Sequence, residues 1–204
     1  MEISNQMHRS AYESKNGVTK SEVAKFAVNY KDVFDLKYLY LLMHEWLVEE
    51  GFCDRDDSKF REVFYFEKED PAAGKFYHFR WRFTKERPLG STLYSYDLDV
   101  NTIVLTLKDV ELAIKGKKVK AQKGELEVQI VASLVEDPKG KFRKPWLKPF
   151  EFFIYKKLLR RQKEYHEDNL KEEATRFQES IKTYLKLETY LPEREHADFW
   201  RSTP

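Results

Sequence analysis

Acidic and imidazole side chains gather in one polar stretch of the chain, at Glu164, His166, Glu167 and Asp168. Carboxylates and imidazoles are metal ligands, but this group would need further ligands from a second element to complete a site. Nearly every residue from Arg160 to Asn169 is polar, so we interpret the stretch as a solvated helix face. No metal and no cofactor is therefore expected.

The single cysteine, Cys53, is the one thiol that could act as a nucleophile. A reactive thiol needs a neighbouring base and a lowered pKa. The carboxylates that follow it at Asp54, Asp56 and Asp57 would raise the thiol pKa instead. The chain also lacks the G-x-S-x-G, H-E-x-x-H and P-loop motifs. We therefore assign no catalytic residue, and the balance is against an enzyme.

Asp97 and Asp99, together with Glu111, are a candidate acid–base group. A structural explanation accounts for the two aspartates, because Arg80 and Arg82 alternate in the same way on a preceding predicted strand. If the two strands pair antiparallel, the arginines face the aspartates and help to set the register. The pattern thus predicts cross-strand ion pairs.

Positive charge is concentrated in residues 115–123, with five lysines and no acid, and in residues 141–161, with eight basic residues and one acid. The rest of the chain then carries a net charge of −10, although the whole chain is close to neutral at +2. Such clusters attract anionic partners. Each cluster also has a structural explanation, as lysines that protect a sheet edge or as a helix entry whose lysines extend to solvent. The candidate residues for binding an anionic partner are Lys115, Lys117, Lys118, Lys120, Lys123, Lys141, Arg143, Lys144, Trp146, Lys148, Lys156, Lys157, Arg160 and Arg161.

Composition indicates an ordinary globular chain of 204 residues with 41% hydrophobic residues, seven glycines and seven prolines. A lone cysteine favours a reducing compartment, and no apolar run approaches the length of a membrane span, so a cytoplasmic protein is expected. The predicted organisation is a mobile N-terminal arm (1–21), a sheet domain (22–149), a long helix (150–190) and a tail (191–204).

Hydrophobic periodicity predicts a strand over 22–33 and a helix over 35–50 that is capped by Asp35 and ended by Gly51. From Phe60 to Glu136 the period of two predicts a run of strands, with a phase slip near Lys108 that indicates a bulge. The aromatic residues of Lys75–Thr84 share one strand face, which we interpret as core rather than as a base-stacking platform.

The chain turns helical after Pro149, and the polar stretch Arg160–Asn169 favours either a break in this helix or a middle that projects from the body. Beyond it, apolar residues recur with the 4-3-4-3 spacing of a helical seam that needs a partner. The predicted assembly seam consists of Leu170, Ala174, Phe177, Ile181 and Tyr184.

These elements predict an α+β fold in which an antiparallel sheet of about six to seven strands is covered by one short and one long helix. The order of elements resembles that of the START-type helix-grip domains. That resemblance would imply a pocket for an apolar ligand between sheet and helix, and no ligand site is carried over from it. The residues that would line such a pocket here are Tyr77, Phe79, Trp81, Tyr94 and Tyr96.

The function expected from the sequence is a non-catalytic binding or assembly module that uses the basic-aromatic segment and the helical seam. A protein partner or self-association is favoured. A pocket protein for a small apolar ligand, with enzymatic activity left open, and a peripheral binder of anionic membrane or nucleic acid remain alternatives.

Overall fold

The computed structural model describes residues 19–56, 59–114, 117–139, 157 and 159–188. Residues 1–18 of the predicted N-terminal arm (1–21) and the whole predicted tail (191–204) lie outside these ranges, whereas residues 19–21 belong to the first strand and not to an arm. The described chain forms five strands and two helices. Their bounds are β1 Thr19–Phe34, α1 Leu36–Glu49, β2 Glu62–Asp70, β3 Gly74–Glu86, β4 Tyr94–Ile114, β5 Lys117–Glu136 and α2 Arg160–Glu188.

The strands form one open antiparallel sheet in the order β1-β5-β4-β3-β2, which confirms the α+β class. The predicted count of six to seven strands is wrong, because the described chain has five. The long pattern after Leu93 belongs to a single strand, β4, rather than to several pieces. A local irregularity in β4 changes the phase of its side chains without ending its pairing.

That irregularity lies at Thr106, whose φ angle is +54°. Buried positions change phase there, from Val104 to Leu107. The neighbouring strands accommodate it with glycines. A Cβ atom at Gly74 would lie 2.8 Å from the Leu107 carbonyl oxygen, and one at Gly124 would lie 3.0 Å from another carbonyl oxygen of β4. A Cβ atom at Gly74 would therefore overlap the backbone of β4, and one at Gly124 would fit only if that backbone moved by a few tenths of an ångström.

Helix α1 begins and ends as the sequence predicts. The Asp35 carboxylate accepts hydrogen bonds from the Lys37 and Tyr38 main-chain N–H groups, so it caps two of the free donors of the first turn. Phe34 and Leu39 are both buried at this end. Gly51 follows the helix with a φ angle of +76°, a conformation that glycine adopts without strain.

Helix α2 is continuous from Arg160 to Glu188, so the predicted break in the polar stretch at its start is wrong. Polar side chains with high helix propensity do not interrupt a helix. Two ion pairs at i, i+4 spacing support this turn, from Arg160 to Glu164 at 2.8 Å and from Lys163 to Glu167 at 3.7 Å. Residues 150–156 and 158, where the predicted helix would begin, lie outside the described ranges.

The chain divides into two compact units, and most of the long elements contribute to both. The first unit contains the described residues among 1–25, 83–98 and 131–174. The second contains those among 26–82, 99–130 and 175–204. The larger side chains that fill the second unit are Phe34, Leu39, Met43, Leu47, Phe79, Trp81, Val128, Ile130, Phe177 and Ile181.

Candidate functional site

Strand β2 is an edge strand of the sheet and pairs only with β3 in the part of the chain that is described. Every residue from Glu62 to Glu69 is exposed. Four consecutive apolar residues are among them, with exposures of 54% for Val63, 44% for Phe64, 50% for Tyr65 and 45% for Phe66. A contiguous apolar edge of this kind is a surface on which another strand can add.

The opposite edge strand, β1, shows how this sheet protects an edge. Its exposed positions include Lys25 and Lys31, and none of its described large apolar residues is among the most exposed ones. Edge lysines oppose pairing with other chains because such pairing would desolvate them. β2 lacks that protection along its four apolar residues, so the two edges differ in what they can bind.

The solvent-side face of β2 is aromatic. Phe64 and Phe66 are neighbours on this face, with ring centroids 6.5 Å apart and nearly parallel planes. The register of the ladder places them beside β3, where Phe64 packs on His78 at 4.9 Å and Phe66 packs on Phe76 at 5.9 Å. These contacts orient the rings and leave the two residues 44% and 45% exposed.

The other face of β2 is acidic. Tyr65 and Glu67 lie opposite Phe79 and Tyr77, and the Tyr65 hydroxyl donates a hydrogen bond of 3.2 Å to Glu67. Partial burial, followed by this carboxylate, raises the pKa of Tyr65. Partial burial and the same carboxylate raise the pKa of Tyr77 to about 12. Burial and then the negative charge of Glu67 therefore both disfavour ionisation of these two phenols.

A register shift between Glu62 and Phe64 turns Glu62 toward the core side, opposite Trp81. Its carboxylate accepts hydrogen bonds from the Trp81 indole N–H at 3.1 Å and from the Tyr40 hydroxyl at 3.4 Å. Burial and the nearby Glu62 carboxylate raise the pKa of Tyr40 to about 12. The bulge thus holds the start of β2 against the core, and beyond it the outer edge of the strand has no neighbouring strand in the described part of the chain.

The predicted binding site for an anionic partner falls mostly outside the described residues. The backbone of 117–120 belongs to β5, and the side chains of 112–120 are not described. Residues 140–156 are outside the described ranges altogether. Lys123, Lys157, Arg160 and Arg161 are exposed, and Arg160 pairs with Glu164. The binding of an anionic partner by these basic residues therefore stays a prediction.

The predicted assembly seam is buried inside the protein. In the second unit Phe177 packs on Trp46 at 4.5 Å, and Tyr184 stacks on Tyr38 at 5.2 Å. The Tyr184 hydroxyl also donates a hydrogen bond of 3.0 Å to the Asp35 carbonyl oxygen, beside the cap of α1. The seam finds its partner within the chain, so it offers no surface for assembly. Its members are all 3% exposed or less, at Leu170, Ala174, Phe177, Ile181 and Tyr184.

The residues predicted to line an apolar pocket belong to densely packed regions. In the second unit Trp81 is fully buried, with the ring of Tyr40 packed edge-on at 4.8 Å, and Phe79 lies 5.2 Å from Trp81. In the first unit Tyr94 and Tyr96 are buried against helix α2. The interpretation of the aromatic strand as core therefore holds for Phe79 and Trp81, whereas Tyr77 is half-buried.

The predicted cross-strand ion pairs form in part. Arg82 pairs with Asp99 at 2.6 Å in the second unit. In the first unit Asp97 binds Lys20 at 2.9 Å and the Thr84 hydroxyl at 2.8 Å. Lys20 thus takes up the aspartate that the sequence pattern assigned to an arginine. The acid–base interpretation gains no support from these structural contacts.

The first unit contains a cluster of buried polar side chains that sequence reasoning missed. His166 is 6% exposed, and its Nδ1 shares a hydrogen bond of 2.8 Å with the Tyr96 hydroxyl. Lys163 binds Glu136 at 2.6 Å, and Lys85 binds Glu173 at 2.9 Å. The interpretation of 160–169 as a solvated face is therefore wrong for His166. Position 166 lies four residues before Leu170, one helical turn earlier on the same face as the seam, which was the available signal.

Burial lowers the pKa of the His166 imidazole. The folded state then holds its proton less tightly than the unfolded chain, whose histidine pKa is about 6.5. We expect the free energy of unfolding to fall as pH drops below about 6.5, because the unfolded chain takes up the proton first. Denaturant unfolding of the wild type and of His166→Gln, measured from pH 8 to pH 5, tests this. Parallel pH profiles for the two proteins would contradict it.

The described residues show neither a metal site nor a membrane-spanning helix. No three His, Cys, Asp or Glu side chains are grouped there closely enough to hold a metal ion. Neither described helix has the combination of length and apolar character that a bilayer crossing requires. No family model matches the chain, and no curated protein matches its sequence. We therefore infer the function from the sequence and structure of this chain and not from related proteins.

Proposed function

We propose that this protein is a non-catalytic binding module that takes an extended segment of a partner protein as a sixth strand along β2. The observation that carries the proposal is the run of four exposed apolar residues on an edge strand without a second neighbour in the described chain. In strand addition, main-chain hydrogen bonds supply affinity and the alternating side chains supply specificity. The proposed function stays within the class of binding modules that the sequence predicts. The proposed binding surface, however, is β2 and not the buried seam.

An added strand would cover exposed aromatic rings of β2, and the binding energy gained in this way supports the proposal. Phe64 and Phe66 each keep close to half of their surface in water, and a strand laid beside them would cover part of it. Aromatic side chains, phenylalanine among them, are enriched in protein interfaces relative to the rest of the surface. The rings are held by His78 and Phe76, so binding would cost little side-chain ordering.

A random nonapeptide library displayed on phage tests the proposal without assuming a peptide sequence. We expect selected peptides to slow the hydrogen exchange of β2 amides. The double variant Phe64→Ser/Phe66→Ser should weaken their binding by about tenfold or more. The matched control is Leu41→Ser/Leu89→Ser, which removes two exposed apolar residues that lie outside the strands.

Two results would overturn the proposal: a library that yields no peptide dependent on β2, and selected peptides that protect amides elsewhere. If the wild type dimerises as its concentration rises and the Phe64→Ser/Phe66→Ser variant does not, the edge binds a second copy of this chain. That result would contradict the choice of a separate partner.

We also infer a helix-grip type of arrangement from the order of the elements, but this arrangement carries no argument about function.

A further inference from the structure

We infer that the partner strand alternates basic and apolar residues, an inference that rests on the proposed function of β2. The strand carries Glu62, Glu67, Glu69 and Asp70 against the single base Lys68, so its net charge is −3. Charge complementarity across an interface determines which partners approach and which are rejected. An acidic edge therefore selects a basic strand.

The two faces of β2 favour different residue types on the added strand. Glu67 and Glu69 lie on the same face as Tyr65, opposite Tyr77 and Lys75. On the other face the ladder places Phe64 and Phe66. Residues that face each other across paired strands lie on the same side of the sheet. An added strand would thus place basic residues beside the two acids and apolar residues beside the two phenylalanines.

The negative charge of the acidic face is only weakly compensated within the described chain. Glu67 accepts hydrogen bonds from two neutral phenols, those of Tyr65 and Tyr77. Glu69 lies at the limit of an ion pair, 4.0 Å from Lys75, and is largely exposed. Both carboxylates can therefore attract a further cation on an added strand.

A second copy of the chain fits this edge poorly. Pairing β2 with β2 would bring two strands of net charge −3 together, and like charges across a strand pair are destabilising. The register shift at Glu62 adds to this, because it moves that carboxylate to the side that Glu67 occupies. The chemistry of β2 thus favours a different, basic chain over self-association.

Two capped synthetic nonapeptides with the same alternating valine and phenylalanine residues test the inference. One carries lysine at the intervening positions and the other carries glutamate. At low salt we expect the lysine peptide to bind at least about tenfold more tightly in fluorescence anisotropy. This ratio should shrink as salt rises to about 0.5 M, because screening weakens the attraction.

The variant Glu67→Gln/Glu69→Gln isolates the charge, since glutamine at position 67 can still accept the Tyr65 hydrogen bond. We expect it to reduce the preference for the lysine peptide to below about threefold. The matched control, Glu45→Gln/Glu49→Gln, removes the same charge from exposed positions of α1 and should leave the preference unchanged.

The inference is overturned if the wild type binds both peptides equally, if it binds neither, or if the α1 control changes the preference as much as the β2 variant. Equal binding that still protects β2 amides from exchange would leave strand addition standing and remove only the charge preference. Peptides selected from the library that depend on β2 but are not basic would have the same consequence.

Discussion

Replacing Phe177 with alanine is expected to lower the free energy of unfolding by about 3–5 kcal/mol. The side chain is fully buried and packs on Trp46 with ring centroids 4.5 Å apart. Its removal takes away transfer energy and leaves a cavity between two helices whose positions are constrained by their other contacts. Urea denaturation followed by circular dichroism measures the change, with size-exclusion chromatography on the same samples.

The control for this prediction is Glu179→Ala, an exposed position of the same helix, which should change stability by less than about 0.5 kcal/mol. The outcome also decides between two roles of the seam. If Phe177 made a contact between chains, its alanine variant would dissociate an oligomer and keep most of the stability of the monomer. That result would contradict the intramolecular packing described above.

Replacing Lys85 with methionine is expected to cost about 3–5 kcal/mol, because it leaves the Glu173 carboxylate buried without its cation. The two side chains are 19% and 11% exposed, and Nζ lies 2.9 Å from Oε1. Among the described residues, the second oxygen of Glu173 has no hydrogen-bond partner. Thermal and urea unfolding of the variant measure the loss.

The double variant Lys85→Met/Glu173→Leu provides the matched comparison. Removing both charges avoids the unpaired carboxylate, so we expect the double variant to regain most of the stability lost in the single one. A single variant as stable as the wild type would show that water, rather than Lys85, satisfies Glu173. A double variant as unstable as the single one would assign the loss to packing.

Local sequence signals correctly predicted the ends of those elements that begin or end because of residues adjacent to them in the chain. Asp35 and Gly51 identified the ends of α1, since capping and positive φ are properties of single residues. The period of two identified β3 and the buried face of β5. The phase slip predicted a bend within a strand, and one lies at Thr106. The count of six to seven strands was wrong, because β4 continues through that bend as a single strand beside the glycines of both its neighbours.

The candidate site was less predictable. The residues Val63–Phe66 form a continuous apolar run, which sequence reasoning reads equally as a buried strand, because exposure depends on what covers the strand. The seam at Phe177 and Tyr184 was found correctly as a face that needs a partner, but its spacing is the same whether the partner is α1 or another chain. His166 was misjudged because its neighbours Glu164 and Asp168 are solvated.

The sequence by itself determined the fold class, the capped helix α1, the alternation of the core strands and the charge of each segment, since these follow from neighbouring residues and their periodicity. Only the tertiary structure decided that the seam is internal, that His166 and Glu173 are buried, and that β2 lies at an edge with its aromatic residues in water. Those properties depend on strand order and on contacts between residues far apart in the chain, which no local pattern encodes.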